Sequence, residues 1–221
     1  MTGRNARDAP PRDAAPRDAP HIYASARGPL SRLASPFAAD ARRRRHESMF
    51  PLLGLAQQAR VLDVGCGILG LRALEPQLDI TGLDLIPRPE YPGPFVQADA
   101  TVQIPFAENE FDVVYCSSVI EHVPPSARPG LASEIRRVGR GFFVQTPAYG
   151  FPIEPHSLLP GAHWLPLALR RAYWRLGADE SWQEISLLRR RELEALFGVR
   201  ALPERIGPLV KSWVCLRAPG A

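Results

Sequence analysis

The chain has 221 residues, 45% hydrophobic and 23% charged, which suits one ordinary core and leaves little room for two full domains. No run of eighteen apolar residues occurs, so no transmembrane helix is expected; the polar start MTGRNARDAP lacks the plan of a signal peptide, so the expected location is cytoplasmic. The net charge of +4 is no argument for nucleic acid: Lys211 is the single lysine, and the dense cluster Arg42 to Arg45 reads as a solvated helix face or an anchor for acidic neighbours, with a phosphate patch as the alternative.

Residues 1–22 repeat RDAP-like units that have nothing to bury, so they are expected to form a disordered tail before a folded domain spanning 23–221. Ser35 to Gln58 reads as helix, capped by Ser35 and broken at Pro51. Short continuous apolar runs follow at Val61–Val64, Ile80–Leu85, Phe95–Ala98, Phe111–Cys116 and Phe142–Gln145. Such runs, separated by longer connections, argue for a parallel sheet with covering helices, an α/β fold. Between the second and third runs lies LIPRPEYPGP, whose four prolines forbid the usual crossover helix. Arg189 to Phe197 reads as helix and Leu209 to Leu216 as a closing strand. Cys66, Cys116 and Cys215 show no metal-ligand spacing and suit a reducing compartment; Cys66 and Cys116 read as small packing residues.

The stretch RVLDVGCGILGLR carries the chemistry. Gly65, Gly67 and Gly70 follow a strand and precede an expected helix, and Asp84 ends the next strand 19 residues after Gly65. On spacing alone this matches a dinucleotide fingerprint. Asp63, two residues before Gly65, argues the other way. A pyrophosphate at that turn would be repelled by a buried carboxylate, whereas S-adenosylmethionine carries a sulfonium and an ammonium and no phosphate.

VLDVGCG, ITGLDL, FVQADA and IPFAENEFDVVYCSSVIEHV, in order across residues 58–147, resemble the successive motifs of class I S-adenosylmethionine-dependent methyltransferases, the last being close to the type 11 subgroup. The resemblance implies a Rossmann-like class I methyltransferase fold, with a seven-stranded, mostly parallel sheet, its last strand antiparallel, and helices on both faces. It implies S-adenosyl-L-methionine as cofactor, held by Asp63, Gly65, Cys66 and Gly67 in the loop. Asp84 meets the ribose with Leu85 beside it, Asp99 and Ala100 meet the adenine, and Ser117 passes alongside. The chain departs from the pattern in its third glycine, one position late at Gly70, in the missing crossover helix, and in the turn before the fifth strand.

Methyl transfer is an in-line displacement in which positioning supplies most of the acceleration and a base helps an O–H or N–H acceptor. After the fourth strand come Glu121 and His122, either a helix start with a packed imidazole or a site with His122 as base. No metal is expected, because no third ligand lies near that pair in sequence. An insertion at about 147–185, rich in aromatics, proline and histidine, is expected to cap the acceptor pocket. There His156 is the first candidate base with Glu154 in support, or else it caps a turn; Trp164, Tyr173 and Trp174 line a pocket or a core. The insertion is similar to one in type 11 methyltransferases of cell-surface or secondary metabolism, which implies a small-molecule acceptor such as a sugar or lipid-linked intermediate. Arg170, Arg171 and Arg175 on the cap suggest peripheral membrane contact. The competing readings are a non-catalytic S-adenosylmethionine-binding subunit and a nucleic-acid methyltransferase, the latter disfavoured by CSSVIEH where a base-amino enzyme carries an Asx-Pro-Pro-aromatic motif. The oligomeric state is left open.

Overall fold

A computed structural model describes residue 40 and residues 42–177 and 185–221. The 1–22 segment, the expected helix start at Ser35 and residues 178–184 of the cap lie outside the described residues. Seven strands form one sheet: β1 (Arg60–Val64), β2 (Asp79–Asp84), β3 (Phe95–Gln97), β4 (Phe111–Ser117), β5 (Gly139–Pro147), β6 (Leu202–Ile206) and β7 (Leu209–Arg217). Their order is β3-β2-β1-β4-β5-β7-β6. The first five are parallel, and β7 runs antiparallel to both β5 and β6. Strand order reverses between β1 and β4, which opens a crevice at their carboxyl ends, where ligands of open α/β sheets bind.

The strands are two-sided and buried on both faces. Leu62, Val64, Val114, Cys116, Phe142 and Val144 pack with Leu131, Ile135, Leu193 and Phe197, which α2 (Arg128–Val138) and α4 (Arg190–Phe197) bring to one face, while α3 (Leu167–Trp174) belongs to the cap. On the other face Val61, Ile80, Val113, Tyr115 and Phe143 meet Phe50 and Leu53. These last two follow α1 (residues 42–49) in a 3-10 turn, Phe50–Leu53. Tyr115 stacks on its cross-strand neighbour Phe143 at 5.1 Å, and Phe50 meets both rings edge-on at 6.0 and 6.2 Å. Burial of Phe50 and Leu53, worth roughly 2 kcal/mol each, outweighs the exposed ion pairs from Arg43 and Arg44 to Asp40, which contribute at most about 0.5 kcal/mol apiece.

Three local expectations change. The first helix does not reach Gln58: Gly54, at φ 60, closes the 3-10 turn and residues 54–56 leave it. The glycine loop leads into a single 3-10 turn, Gly70–Ala73, rather than a helix, because Gly70 is left-handed and Pro76 forbids extension. The remaining strand of the expected seven, to which no segment was assigned, is β6: LPERI carries a proline and two charges, tolerable because it is the outermost strand and pairs with β7 alone. The proline-rich connection from β2 to β3 holds no helix, as expected. Among the described residues no helix is long and apolar enough to cross a membrane.

Arg128 fastens α2 to the segment leading into α4. Its guanidinium is buried, donates to Val123 O at 3.1 Å and Ser186 O at 2.5 Å, and pairs with Glu192. Arg128→Ala removes the buried guanidinium and its charge-assisted bonds to both carbonyls, and should lower unfolding free energy by about 2–3 kcal/mol in urea denaturation. Glu192→Gln, at the more exposed end of the pair, should cost less than about 1 kcal/mol.

Candidate active site

At Val64 the chain reaches the sheet edge and must turn without shadowing β4. Gly65 turns it with φ 71, and a Cβ there would overlap Val119, just beyond β4; only glycine fits so close an approach. The N–H groups of Gly65 and Cys66 donate to Leu83 O at 2.7 and 3.2 Å, and the N–H of Gly67 donates to Asp84 Oδ2 at 3.1 Å. Gly67 itself, at φ 57, has open space where a Cβ would stand. Cys66 is buried, its thiol pushed up by desolvation and by Asp63 and Asp84; Cys116 is buried as well. Both are packing residues.

Asp63 lies beneath this loop. Its Oδ2 accepts from Leu71 N–H at 2.6 Å, and a Cβ at Gly70 would fall on that same oxygen. The late third glycine therefore makes room for the carboxylate that ties the far end of the loop. Burial pushes the Asp63 carboxyl up to about 7, against the bond from Leu71. Repulsion of a pyrophosphate by Asp63 is accordingly weaker at neutral pH than the sequence suggested, and its bond from Leu71 holds the loop.

Asp84 ends β2 and organises the next turn. Oδ2 accepts from Gly67 N–H and from Arg88 Nε, both at 3.1 Å, and Oδ1 from Ile86 N–H at 3.0 Å. Leu85 and Ile86 stand exposed beside it, apolar ground for a purine. Asp99, exposed, accepts from the N–H and hydroxyl of Thr101 through Oδ1, while Ala100 is buried. At the end of β4, Ser117 and the left-handed Ser118 both donate their hydroxyls to Gln145 Oε1, at 2.8 and 3.0 Å. Arg45 of α1, buried, donates to Ser117 Oγ at 3.3 Å and pairs with Glu204 of β6 at 3.1 Å. The arginine cluster thus divides into an anchor, Arg45, and the exposed Arg43 and Arg44. Gln145 and Arg45 were missed as site residues; the signal available was a polar residue closing the buried run FFVQ.

The cap brings a second group to the same edge. Glu121 lies in the 3-10 turn Ile120–His122, fully buried; Oε2 accepts from Thr146 Oγ1 of β5 at 3.0 Å, and Oε1 has no hydrogen-bond partner. Burial pushes its carboxyl up, with His156 acting against the shift. In the cap, Glu154 is also fully buried. Its Oε2 accepts from the N–H groups of His156 and Ser157, at 2.9 and 2.5 Å, and its Oε1 lies 2.8 Å from His156 Nδ1. Burial opposes ionisation of Glu154, but the bonds from His156 and Ser157 outweigh it and hold the carboxyl below its ordinary value. The His122 and His156 rings meet edge-on at 4.9 Å. One donor atom each from Glu121, His122 and His156 lies within 4.8 Å of the other two. The fold thus brings His156 to the Glu121–His122 pair, which sequence proximity did not.

Of the cap aromatics, Trp174 is core, packed with Leu159, Ala162, Ile185 and Leu187, and Tyr173 lies against it. Trp164 is 47% exposed and donates through Nε1 to Tyr149 O at 2.9 Å. A cavity of about 240 Å³ lined by Arg190, Arg200 and Trp213 touches none of these groups.

This fold and this glycine-turned edge define a Rossmann-like protein of the class I methyltransferase kind. Residues 62–141 match the type 11 methyltransferase-domain family. In structure the chain is similar to 1,6-didemethyltoxoflavin-N1-methyltransferase of Burkholderia thailandensis (19% identity, 95% of this chain and 91% of that one, TM-score 0.53), solved with 1,6-didemethyltoxoflavin and S-adenosylhomocysteine. It is similar also to magnesium protoporphyrin IX methyltransferase of Synechocystis (14%, 89% and 91%, 0.53), solved with S-adenosylhomocysteine, and to the PH0226 protein of Pyrococcus horikoshii (18%, 80% and 91%, 0.52). At these identities the likeness shows the fold. No curated protein matches the chain by sequence. The matched segment together with the fold supports an S-adenosyl-L-methionine-dependent methyltransferase domain.

Asp63 supplies a pH signature. The unfolded carboxyl ionises near 3.8 and the folded one near 7, so between those values the native state holds the extra proton and stability falls as pH rises. Asp63→Asn keeps an acceptor for Leu71 and should flatten the loss between pH 4 and 7, measured by urea unfolding at each pH. Gly70→Ala should destabilise at every pH, by about 1–2 kcal/mol for the left-handed backbone and more for displacing Asp63.

Proposed function

We propose that the enzyme methylates an oxygen or nitrogen of a small molecule held between the glycine loop and the cap, a sugar or lipid-linked intermediate being the class that best suits an open, polar edge. The observation that carries the reading is the convergence of His122, His156 and Glu121 at the carboxyl edge of β4 and β5, next to the turn where Val119 presses on Gly65.

The loop residues fit an adenosyl ligand. Gly65 and Gly67 bare the backbone, and Asp84 stands at the β2 end with exposed Leu85 and Ile86 alongside for the purine. A carboxylate offers about four lone-pair directions, and Asp84 has three donors already. Two ribose hydroxyls therefore require one donor to leave, and Arg88 is the one on a flexible side chain. Bound S-adenosylmethionine supplies an electrophilic methyl group on sulfur. The chain supplies position and a proton acceptor: Glu154 accepts a hydrogen bond from the Nδ1–H of His156, which leaves the imidazole lone pair on Nε2. Ser117, Ser118 and Gln145 tie the end of β4 to β5 and keep the edge rigid while the acceptor aligns. A cytoplasmic setting is supported by the three buried free cysteines. The exposed Leu167, Leu169 and Leu176, with Arg171 and Arg175 nearby, support peripheral contact of the cap with a membrane that holds a lipid-linked acceptor.

Isothermal titration with S-adenosylhomocysteine and, separately, NADH tests the first half. The adenosyl ligand should bind in the micromolar range and NADH should not. Asp84→Ala should weaken binding at least about a hundredfold, the loss of two charge-assisted bonds. Arg88→Ala should bind as tightly as the parent or tighter. Binding of NADH alone would overturn the reading.

A further inference from the structure

We infer that Glu121, His122 and His156 form a binding site for a divalent transition-metal ion, and that this ion, resting on the methyl-transfer reading above, takes the acceptor through a hydroxyl oxygen. The donor set is two imidazoles and a carboxylate, one atom of each within 4.8 Å of the others. Donors about 2.1 Å from a metal lie roughly 3–3.5 Å apart. His122 is exposed, and closing the set requires its side chain to move toward the other two donors.

Two independent features point to a ligand. Glu121 is wholly buried, yet its Oε1 has no hydrogen-bond partner while Oε2 is bound by Thr146. A buried carboxyl oxygen without a partner is disfavoured whether the group is ionised or neutral, and a cation beside it removes that penalty. His156 Nδ1 is held by the buried Glu154, the carboxylate–histidine arrangement that fixes a metal-binding imidazole and raises its basicity. The turn at 154–157 does not require that bond, because Glu154 Oε2 already accepts both backbone N–H groups. Two histidines and a carboxylate select zinc, iron, cobalt or nickel over magnesium or calcium, and three protein ligands leave coordination positions open.

With its Nε2 on the ion, His156 acts as a ligand and no longer as the base; a hydroxyl bound there instead loses its proton to solvent, since the metal would stabilise the alkoxide. The alkoxide lone pair forms the new bond to the methyl carbon, the carbon–sulfur bond breaks, and the thioether leaves with the electron pair. The balance is R–OH plus sulfonium giving R–OCH₃, thioether and one proton, with no redox partner. The acceptor is thereby narrowed to a hydroxyl compound, favoured when a neighbouring oxygen completes a chelate.

The test uses the full chain, stripped of metal, titrated with Co²⁺ while its visible absorption is followed, with Zn²⁺ as competitor. One Co²⁺ per chain should bind and Zn²⁺ should displace it. His122→Ala is the decisive variant, since an exposed side chain can be removed without disturbing the core. It should weaken Co²⁺ at least about tenfold, as should Glu121→Gln and His156→Ala, while S-adenosylhomocysteine affinity stays within about twofold. Absence of Co²⁺ binding in a protein that binds S-adenosylhomocysteine, or Co²⁺ binding unchanged in His122→Ala, overturns the metal site and leaves the histidines as metal-independent bases. Co²⁺ binding with the expected variant pattern, but without S-adenosylhomocysteine binding, would support the metal site and refute the methyl-transfer reading.

Discussion

Four buried carboxyl groups lie along the carboxyl edge of one sheet, and how each is satisfied shapes everything around it. Asp63, Asp84, Glu121 and Glu154 are all withdrawn from water, where an unpaired charge is very costly. Asp63 answers the cost with one backbone bond and a raised pKa. Asp84 gathers two backbone donors and Arg88. Glu154 collects two backbone donors and an imidazole. Each of these donor sets also fixes a loop, so the requirement to satisfy the carboxyls builds the site's walls.

The strands place these groups and the helices support them at some distance. The buried apolar stretches Val61–Leu62 of β1, Val113–Val114 of β4 and Phe142–Val144 of β5 give way to polar side chains toward the carboxyl end. There Ser117, Gln145 and Thr146 appear together, and register explains why: Ser117 stands opposite Gln145 in the parallel pair. Arg45 reaches this cluster from α1 and at the same time holds Glu204 on the far strand. One guanidinium therefore connects the first described helix, the centre of the sheet and its antiparallel edge, which makes the edge one mechanical unit.

The alternation of apolar runs was legible because parallel strands buried on both faces need no partner-specific pattern. Proline density correctly removed the crossover helix. It also hid an error nearby: Gly70 and Pro76 together prevent a helix after the loop, though the spacing of Gly65, Gly67 and Gly70 suggests one. The strand β6 was illegible for the opposite reason, since an outer strand needs few apolar residues and tolerates Pro203. At the site, Asp84, Asp99 and the glycines were readable because backbone geometry demands those residue types at short range. Arg45 and Gln145 were not, because their significance depends on partners 72 and 27 to 28 residues away.

The cap end of the candidate site shows the same limit most sharply. Glu121 and His122 are adjacent in sequence, and with only two donors in view a metal reading had no footing. His156 joins them through a chain path that crosses α2, β5 and the first turn of the cap. What distinguishes this meeting from ordinary packing is the division of labour within Glu154. A buried turn would be satisfied by one oxygen accepting two N–H groups, as Oε2 does; the second oxygen is spent on orienting a ring. Orientation of that kind has no use in a core, where an apolar residue would fill the space at lower cost. It has a use where the other ring nitrogen must present its lone pair at a fixed place, beside a carboxylate oxygen that the protein itself leaves without a hydrogen bond.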